Sequence, residues 1–403
     1  SLRPFRAWRP AQDKAHLVGS RSYVLYSEDE LRAKLASNPY SFLHIIHPDH
    51  YGPRVADKDQ RFDMVRRKYH AFCQEGILVR DERPCIYIYE QWVRGDVSRG
   101  IVAGVSVQDY REGRIRVHEQ TLTVRQNLFA EYLHRTGINA EPVLLATPEG
   151  TAWEAMLDPI IGQRPEVDFS TTDRVRHRMW AVGDETTIVK LQEAFSRIPV
   201  LYIADGHHRM ASSADLADRM GCADVDPTSW CLAFIVPRSQ LFIHNFDRTV
   251  DTLNGLSEQE FIEALASIGE LERTEGASAA PGVLAVFTPS GWSRLTLPAV
   301  PHGTSPAEAL DAARLSELIL GPLLGIHDLR TDPHVQFVPG THGVHELEQH
   351  VLSGRAKAAF HLHPVGFEAL KAVADSGGIM PPKSTYVEPK LRSGLTIYSL
   401  EDV

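Results

Sequence analysis

The most informative segment of the sequence is Leu201-Tyr-Ile-Ala-Asp-Gly-His-His-Arg209, which continues into Met210-Ala-Ser-Ser-Ala-Asp-Leu-Ala-Asp-Arg219. The short apolar run before Asp205 is led by strand-forming residues and predicts a buried strand. Met, Ala and Leu then recur at helical spacing, and Gly221 supplies a signal for the end of a helix. Asp205 and Gly206 are therefore predicted to lie where a buried strand passes into the N-terminus of a helix.

This passage from strand to helix predicts a binding site for an anion. The first N–H groups of a helix lack intrahelical acceptors, and the positive end of the helix dipole lies behind them. Gly206 would let a ligand approach the backbone closely. His207, His208 and Arg209 add cationic or donor side chains to the first turn. Because the dipole disfavours cations at that end, their presence indicates a phosphate or carboxylate ligand.

A plainer interpretation of the same stretch is that Asp205 is an ordinary N-cap and that the two histidines are surface residues. The combination of glycine, two histidines and an arginine directly after an apolar strand favours the functional interpretation. A metal ion bound by His207 and His208 together is disfavoured, because adjacent residues on a helix do not share a face.

Length and composition place the chain among ordinary globular proteins of two or three domains. It has 403 residues, of which 43% are hydrophobic and 23% are charged. We expect a division into residues 1–150, with a His-Glu motif, residues 151–275, with the central stretch, and residues 276–403, with a proline-rich tail. The net charge of −10 argues against a general nucleic-acid partner.

The expected compartment is the cytoplasm. The four cysteines are sparse and form no C-x-x-C pair, which favours a reducing environment. No apolar run approaches the length of a membrane span, and the N-terminus shows no signal-peptide pattern. We therefore expect neither a membrane partner nor a nucleic-acid partner.

Outside the central stretch, capping signals and hydrophobic periodicity predict an irregular alternation of helices and strands. In the N-terminal half we expect helices over 27–38, 57–74 and 124–135, strands over 41–46 and 142–146, and a hairpin of 85–89 with 100–107. In the rest we expect a loop over 159–175, a helix over 187–195, a strand over 230–236 paired with 241–250, a hairpin of 283–287 with 293–297, helices over 306–320, 346–352 and 366–374, and a strand over 358–362. The alternation lacks strict βαβ regularity, so we expect a mixed α/β (α+β) fold with mixed sheets.

Two further stretches carry candidate site residues. In the tail, Met380-Pro-Pro precedes Lys383, Ser384 and Thr385, a grouping that suits phosphate oxygens on a loop stiffened by proline. Lys390 and Arg392 add charge, although a solvated C-terminal segment is the alternative. His118-Glu119, followed by Thr121, is a His-Glu pair on a predicted loop, and such a pair alone is most often without function.

Taken together, these stretches resemble the bacterial and archaeal family known as domain of unknown function 1015. The resemblance extends along essentially the whole chain and is most specific at the Asp-Gly-His-His-Arg and Met-Pro-Pro-Lys-Ser-Thr motifs. The matching segments are Pro4-Phe-Arg-Ala-Trp-Arg-Pro10, Asn38-Pro-Tyr-Ser-Phe-Leu43, Asp109-Tyr110 with His118-Glu-Gln-Thr121, Ala204-Asp-Gly-His-His-Arg209, and Met380-Pro-Pro-Lys-Ser-Thr-Tyr386 through Gly394.

The turn from Asp205 to Arg209 is also similar, more remotely, to the phosphate-binding strand-to-helix turn of the ParB and sulfiredoxin superfamily. That superfamily includes kinases of free serine, which make O-phosphoserine from serine and a nucleotide. This second resemblance rests on five residues. It implies that Asp205 to Arg209 hold the phosphates of a nucleotide and that a separate carboxylate deprotonates the substrate hydroxyl.

The chain departs from the pattern of the first family at several polar positions. An acid of the family is replaced by Val24, an arginine by Leu122, an Asp-Arg pair by Asn127-Leu128, and a histidine by Asp247, next to which Arg248 is kept. The anion-binding motifs are intact. The departures therefore indicate altered substrate specificity, or lost catalysis with anion binding retained.

The resulting hypothesis is a small-molecule phosphotransferase that moves the γ-phosphate of ATP to a small hydroxy amino acid such as serine. Phosphoryl transfer needs charge neutralisation, in-line placement and a group that accepts the hydroxyl proton. Glu119 is the expected general base beside His118, and Asp205 is the expected Mg²⁺ ligand. ATP or ADP is expected to bind through Gly206, His207, His208, Arg209, Lys383, Ser384 and Thr385.

Two alternatives stay open. One is a nucleotide-binding scaffold or regulatory protein without turnover, which the lost polar residues favour. The other is a phosphomonoesterase acting on a phosphoamino acid, with His207 or His208 as the acid. The partner in each case is a small molecule, and a homodimer is possible. The identity of the substrate and the nucleotide preference are open as well.

Overall fold

The computed structural model describes residues 1–23, 26–48, 55, 57–148, 152–221 and 223–401. Val24 lies outside the described residues. The chain divides into two compact units, of which the first is Ser1–Arg116, Thr121–Leu241 and Pro389–Val403 and the second is Val117–Gln120 and Phe242–Glu388. The boundaries of these units differ from a division after residues 150 and 275, which remains a prediction about independently folding parts.

The first unit is built on a mixed sheet that has nine strands among the described residues. Leu201–Asp205 runs parallel to Ile115–Arg116 and antiparallel to Val143–Thr147, which in turn is parallel to Trp230–Pro237. From one edge to the other the order is Ile115–Arg116, Leu201–Asp205, Val143–Thr147, Trp230–Pro237, Asp96–Ser106, Ile86–Val93, Arg176–Val182 and Val167–Ser170, and Leu2–Arg3 pairs with Asp96–Ser106. The predicted mixed sheets are confirmed.

The centre of this sheet is apolar on both faces. All residues of Trp230–Pro237 after the first are buried, as expected for a strand that helices or loops cover on each side. Gly100 sits on the neighbouring strand, where a Cβ atom would lie 2.0 Å from the carbonyl oxygen of Ile235. Glycine therefore permits the close approach of these two strands.

Helices and short strand pairs complete the first unit. The pairs are Trp8–Pro10 with Leu78–Arg80 and Ile138–Asn139 with Tyr398–Ser399. The helices are Ala15–Val18, Glu28–Ser37, Leu43–Ile46, Lys58–Gln74, Val107–Arg111, Thr123–Thr136, Asp158–Ile161, Glu185–Ser196 and His207–Met220, with 3₁₀ turns at Glu154–Met156, Pro227–Ser229 and Arg238–Gln240. The predicted capping box at Ser27 is present, because its hydroxyl accepts from the Glu30 N–H while the Glu30 carboxylate accepts from the Ser27 N–H.

Two predictions of secondary structure in the first unit are wrong. Residues 41–46 form the short helix Leu43–Ile46 and not a strand, because a buried apolar run of this length has the same pattern in either structure. Residues 159–175, expected as a loop, contain the strand Val167–Ser170. That strand lies at the edge of the sheet, where polar residues such as Asp168 are tolerated.

The second unit is built on an antiparallel sheet that has six strands among the described residues. The order is Glu270–Arg273, Gly291–Thr296, Val283–Thr288, Ala358–His361, Phe246–Val250 and Val335–Pro339. One face packs on Phe261 and Leu265, and the other packs on Leu347 and Val351. The helices are Glu258–Ile268, Asp311–Leu315 continuing as the π-helix Ser316–Leu320, Val344–Leu352 and Phe367–Asp375, with a 3₁₀ turn at Gly340–His342.

The predicted pairing of 230–236 with 241–250 is wrong. Trp230–Pro237 already has Asp96–Ser106 on one side and Val143–Thr147 on the other, so neither of its edges is open to a further strand. Phe242–His244 instead pairs with Tyr386–Glu388, and Phe246–Val250 pairs with two strands of the second unit. The predicted hairpin near 283–297 is confirmed, and the helix expected over 306–320 begins only at Asp311.

No helix within the described ranges is both long enough and apolar enough to cross a membrane.

Candidate functional site

The predicted passage from strand to helix is present at Asp205. The strand Leu201–Asp205 ends there, Gly206 has a φ of 96°, and the helix His207–Met220 follows. A Cβ atom at position 206 would lie 2.7 Å from the guanidinium group of Arg209. Glycine is therefore favoured both by the left-handed backbone and by the nearby side chain. We call residues 205–209 the Asp205 turn.

Asp205 is not the N-cap of this helix. Gly206 occupies that position, and no side-chain hydrogen bond caps the first turn. The plainer interpretation of Asp205 as an ordinary cap is therefore wrong. A glycine at the N-cap has no side-chain atom that could accept from the first N–H groups, as the N-cap residue of most helices does.

The carboxylate of Asp205 lies among cations. The Nζ atom of Lys390 is 3.4 Å from Oδ2 of Asp205, and the Nη2 atom of Arg209 is 4.0 Å from the same oxygen. Desolvation acts to raise the pKa of Asp205, but the charges of Lys390 and Arg209 outweigh it and lower that pKa. Asp205 is consequently an ionised carboxylate at neutral pH.

Glu141 is a member of this cluster that sequence reasoning missed. It forms an ion pair with Nη1 of Arg209, whose side chain is 21% exposed. Glu141 precedes the strand Val143–Thr147, which pairs with Leu201–Asp205. The pairing of these two strands brings the acid to the turn, and no local signal in the sequence announces it. Lys390, noted from the sequence only for its charge, also belongs to this cluster.

The two histidines of the turn have different environments. His207 is buried. The backbone N–H of Leu122 donates to Nε2 of His208 at 3.1 Å, so this nitrogen is an acceptor and the ring is neutral. Burial, followed by the charge of Arg125, lowers the pKa of His208. His208 is therefore not one of the cations that the sequence suggested for the first turn.

The remaining predicted site residues belong to the second unit. His118 is fully buried on a loop, and its carbonyl oxygen accepts from the Met380 N–H at 2.8 Å. Glu119 follows on the same loop. The loop His118–Glu119 is thereby joined to the segment that leads into Lys383.

The Lys383–Thr385 segment, which we call the Lys383 loop, has an unusual backbone. Lys383 has a φ of 56°, a left-handed conformation that side chains rarely adopt. The hydroxyl of Ser384 donates to the carbonyl oxygen of Pro381 at 2.8 Å, so it helps to close the turn. Ser384 and Thr385 are both buried.

Arg248 supports this loop, and sequence reasoning did not assign it to a site. It is fully buried and donates to the carbonyl oxygens of Phe246 and, at 3.1 Å, Lys383. Its guanidinium lies 5.2 Å from the centre of the Phe337 ring. Burial lowers the pKa of Arg248 to about 10, against the opposing charge of Asp247. The arginine therefore stays charged at neutral pH.

The positions that depart from the family pattern have partners of their own. Asp247 is buried and accepts hydrogen bonds from Asn245, the Leu362 N–H and, at 3.0 Å, Nδ1 of His361. Asn127 accepts from Arg219 at 2.8 Å, and Leu128 is exposed. The aspartate at position 247 is therefore satisfied inside the second unit.

The chain belongs to the family described as protein of unknown function (DUF1015), whose model matches residues 2–313. No protein with a curated description matches the sequence. Solved structures to which the chain is similar at low identity include the following three. SbnI with C-terminal truncation from Staphylococcus aureus is 13% identical, with a TM-score of 0.41, over 75% of this chain and 90% of that chain. A free serine kinase in complex with AMP is 13% identical, with a TM-score of 0.39, over 73% and 91%. A conserved hypothetical protein from Pyrococcus furiosus is 15% identical, with a TM-score of 0.37, over 75% and 96%.

Proposed function

We propose that this protein is a nucleotide-dependent phosphotransferase that transfers the γ-phosphate of ATP to the hydroxyl group of free serine or a related small hydroxy amino acid. The observation that carries the proposal is the Asp205 turn. An uncapped helix N-terminus follows a left-handed glycine, and Lys390 and Arg209 flank the preceding carboxylate. Backbone N–H groups and fixed cations together are what a phosphate chain requires.

The nucleotide phosphates would be held by the N–H groups after Gly206 and by the side chains of Arg209 and Lys390. His207 and His208 contribute backbone N–H groups of the first turn. Arg209 would exchange Glu141 for a phosphate oxygen, and a guanidinium forms equally good paired hydrogen bonds with either group. In the second unit, Lys383, Ser384 and Thr385 are proposed to bind phosphate.

Asp205 fits the requirements of a Mg²⁺ ligand. Mg²⁺ in nucleotide sites is usually held by one or two carboxylates together with phosphate oxygens. The Asp205 side chain is 43% exposed and ionised, and Lys390 at 3.4 Å could turn to a phosphate when the metal arrives. The metal would supply charge neutralisation on the phosphates.

Glu119 is proposed as the base that accepts the hydroxyl proton, with His118 as the residue that orients it. A carboxylate suffices for this role, because the loose transition state of phosphoryl transfer makes little demand on the basicity of the acceptor.

Nucleotide binding at the Asp205 turn is tested with Arg209→Ala. Loss of one charge-assisted contact should weaken ATP or ADP binding in the presence of Mg²⁺ by about 1.5–3 kcal/mol. The measurement is isothermal calorimetry, supported by thermal shift, in which a ligand at 100 times its dissociation constant adds about 2.7 kcal/mol of stability.

Arg219→Ala is the matched control for this experiment. Arg219 lies on the same helix and pairs with Asp215, so its removal changes the helix charge without touching the turn. Its nucleotide affinity should equal that of the parent. Equal affinities of Arg209→Ala and the parent would remove the proposal.

A binding protein without turnover is the second candidate. This candidate is favoured by Asp247, which departs from the family pattern. Its carboxylate already accepts hydrogen bonds from His361 and from the Leu362 N–H. Nucleotide binding without transfer to any hydroxy amino acid would establish this alternative. A phosphomonoesterase would have to use His207 as its acid, since Nε2 of His208 accepts the N–H of Leu122.

A further inference from the structure

The backbone N–H groups of the Lys383 loop are available to a ligand. Within the described part of the chain, the N–H groups of Lys383, Ser384 and Thr385 donate to no backbone or side-chain acceptor. Lys383 is left-handed, with a φ of 56°. Successive N–H groups around a left-handed residue form a concave nest that suits an anion.

The Arg248 cation beneath the loop lacks a direct ion pair, although the charge of the adjacent Asp247 acts on it. Among the described residues no carboxylate forms an ion pair with Arg248, although its side chain is fully buried. Its Nε atom is buried and has no hydrogen-bond acceptor in the same residues. Burying a cation without a counter-charge is unfavourable. An anion that binds nearby would supply the missing counter-charge.

The carboxylates of the two neighbouring acids, Asp247 and Glu388, form hydrogen bonds or ion pairs with other residues. The Asp247 carboxylate accepts from Asn245, His361 and the Leu362 N–H. Glu388, on the strand after the loop, lies 3.0 Å from Nε2 of His244. Neither acid forms an ion pair with Lys383 or Arg248 in the structure as described.

Aromatic rings fix the two cations. The Lys383 ammonium lies 5.4 Å from the centre of the Phe246 ring, and the Arg248 guanidinium lies 5.2 Å from that of Phe337. Phe246 and Phe337 meet edge to face at 6.4 Å. Rings attract cations without neutralising them, so the positive charge remains available to a ligand.

We propose that the Lys383 loop is a phosphate-binding nest of the second unit, in which Arg248 is the positioning residue. The phosphate would accept from the N–H groups of Lys383, Ser384 and Thr385 and from the Lys383 ammonium. Arg248 holds the loop in its left-handed form through the Lys383 carbonyl and contributes its charge. The proposal deepens the proposed function and rests on it for the choice of phosphate over other oxyanions.

The test is calorimetric titration of the full chain with inorganic phosphate, O-phosphoserine and ATP at constant ionic strength. Lys383→Gly is the decisive variant, because glycine accepts the left-handed backbone and removes the ammonium without disturbing the fold. Its phosphate affinity should fall at least tenfold, while its urea midpoint should equal or exceed that of the parent. An unchanged phosphate affinity would overturn the proposal.

The positioning role of Arg248 is tested with Arg248→Lys in two backgrounds. Lysine keeps the positive charge but lacks the planar guanidinium group that donates to the carbonyl oxygens of Phe246 and Lys383. In the parent it should lower phosphate affinity at least fivefold. In Lys383→Gly, which keeps the backbone N–H groups but lacks the ammonium, the loss of affinity caused by Arg248→Lys should be smaller, although its effect on stability persists. A loss of stability in the parent without a loss of phosphate affinity would show that Arg248 acts only on the fold and would overturn its positioning role.

Arg209→Ala separates failure of this proposal from failure of the proposed function. It should weaken ATP binding and leave the titration with inorganic phosphate unchanged. Inorganic phosphate binding that is lost in Arg209→Ala but kept in Lys383→Gly would place the anion at the Asp205 turn and overturn the nest. ATP binding by a parent that binds no inorganic phosphate would also overturn the nest and leave the kinase proposal standing. The O-phosphoserine arm shows whether the nest takes a phosphate ester or the free ion.

Discussion

The Asp205 turn and the Lys383 loop are both proposed to bind phosphate, but they differ in whether carboxylates already pair with their cations. Each contains a left-handed residue, Gly206 in the turn and Lys383 in the loop. In the turn, Arg209 and Lys390 are already paired with Glu141 and Asp205. In the loop, Arg248 has only carbonyl oxygens and a ring as partners among the described residues.

This difference has a consequence for binding. An anion that enters the turn must take Arg209 from Glu141, so part of its interaction energy is offset by the lost ion pair. An anion that enters the loop displaces no carboxylate. The turn should therefore select for ligands with several charges, such as a nucleotide with its metal, whereas the loop should accept a single phosphate group.

Lys390, which pairs with Asp205, and Lys383 are also held in place by different kinds of groups. The Lys390 carbonyl accepts from Gln91 at 3.1 Å, Gln91 accepts from the Tyr89 hydroxyl, and that hydroxyl contacts Nδ1 of His177 at 2.6 Å. The support of Lys390 is thus uncharged, whereas the support of Lys383 is the cation Arg248.

Glu119→Gln tests whether Glu119 is the base that accepts the hydroxyl proton. The substitution keeps shape and hydrogen bonding but removes proton acceptance. Turnover with serine as acceptor should fall on the order of 10²–10⁴-fold, while nucleotide affinity changes by no more than a factor of a few. Phosphoamino-acid formation and calorimetric binding are measured on the same preparation. A variant that turns over like the parent would make Glu119 structural.

His177 makes the support of Lys390 sensitive to acid. Burial, reinforced by the charge of Arg392 and opposed by that of Asp173, lowers the pKa of His177 to about 3. In the unfolded chain His177 takes up a proton as the pH falls through 6.5, whereas in the folded chain it stays neutral until the pH approaches 3. The stability contributed by His177 is therefore complete above pH 6.5 and is lost as the pH falls towards 3. Between pH 6.5 and 4 the loss should be roughly 3 kcal/mol.

The control for this acid sensitivity is His177→Phe, which keeps a ring between Phe169 and Tyr89. Urea unfolding of the parent and the variant at several pH values measures the difference between their free energies of unfolding. That difference should change with pH over the stated range. Parallel curves would assign the acid sensitivity to other groups.

Gly206→Ala tests the geometry of the turn. Alanine must adopt a φ of 96° and places a Cβ atom 2.7 Å from the Arg209 guanidinium. The variant should lose roughly 1–2 kcal/mol of stability and bind nucleotide more weakly. Gly221→Ala, at the other end of the same helix, has a φ of 60° but no neighbour within 4 Å. This control should lose stability while nucleotide affinity stays at the parental value.

Glu141→Gln would remove the ion pair between Glu141 and Arg209 and leave Asp205 as the acid beside that arginine. Removing the carboxylate that pairs with Arg209 should raise nucleotide affinity by about 1 kcal/mol, the scale of a partly exposed ion pair. Asp215→Asn, which releases Arg219 farther along the same helix, should leave affinity unchanged. Weaker nucleotide binding in Glu141→Gln would mean that the acid holds Arg209 in its binding geometry and does not compete with the ligand.

Local signals in the sequence were sufficient to predict several elements. The strand before Asp205 and the helix after Gly206 both depend on neighbouring residues, and so does the capping box at Ser27. The mixed α/β class followed from the irregular alternation of such elements, and family membership followed from motifs spread along the chain. The prediction of a strand over 41–46 is wrong, because a short apolar run fits a buried helix and a buried strand equally well.

The tertiary structure alone decided which charges meet. Glu141 reaches Arg209 because Val143–Thr147 pairs with Leu201–Asp205, and Lys390 reaches Asp205 although 185 residues separate them. Arg248 reaches Lys383 across 135 residues. Backbone conformation is set largely by adjacent residues, so the sequence predicts it. The partners of a buried charge are set by strand order and by the packing of distant segments, which no local pattern records.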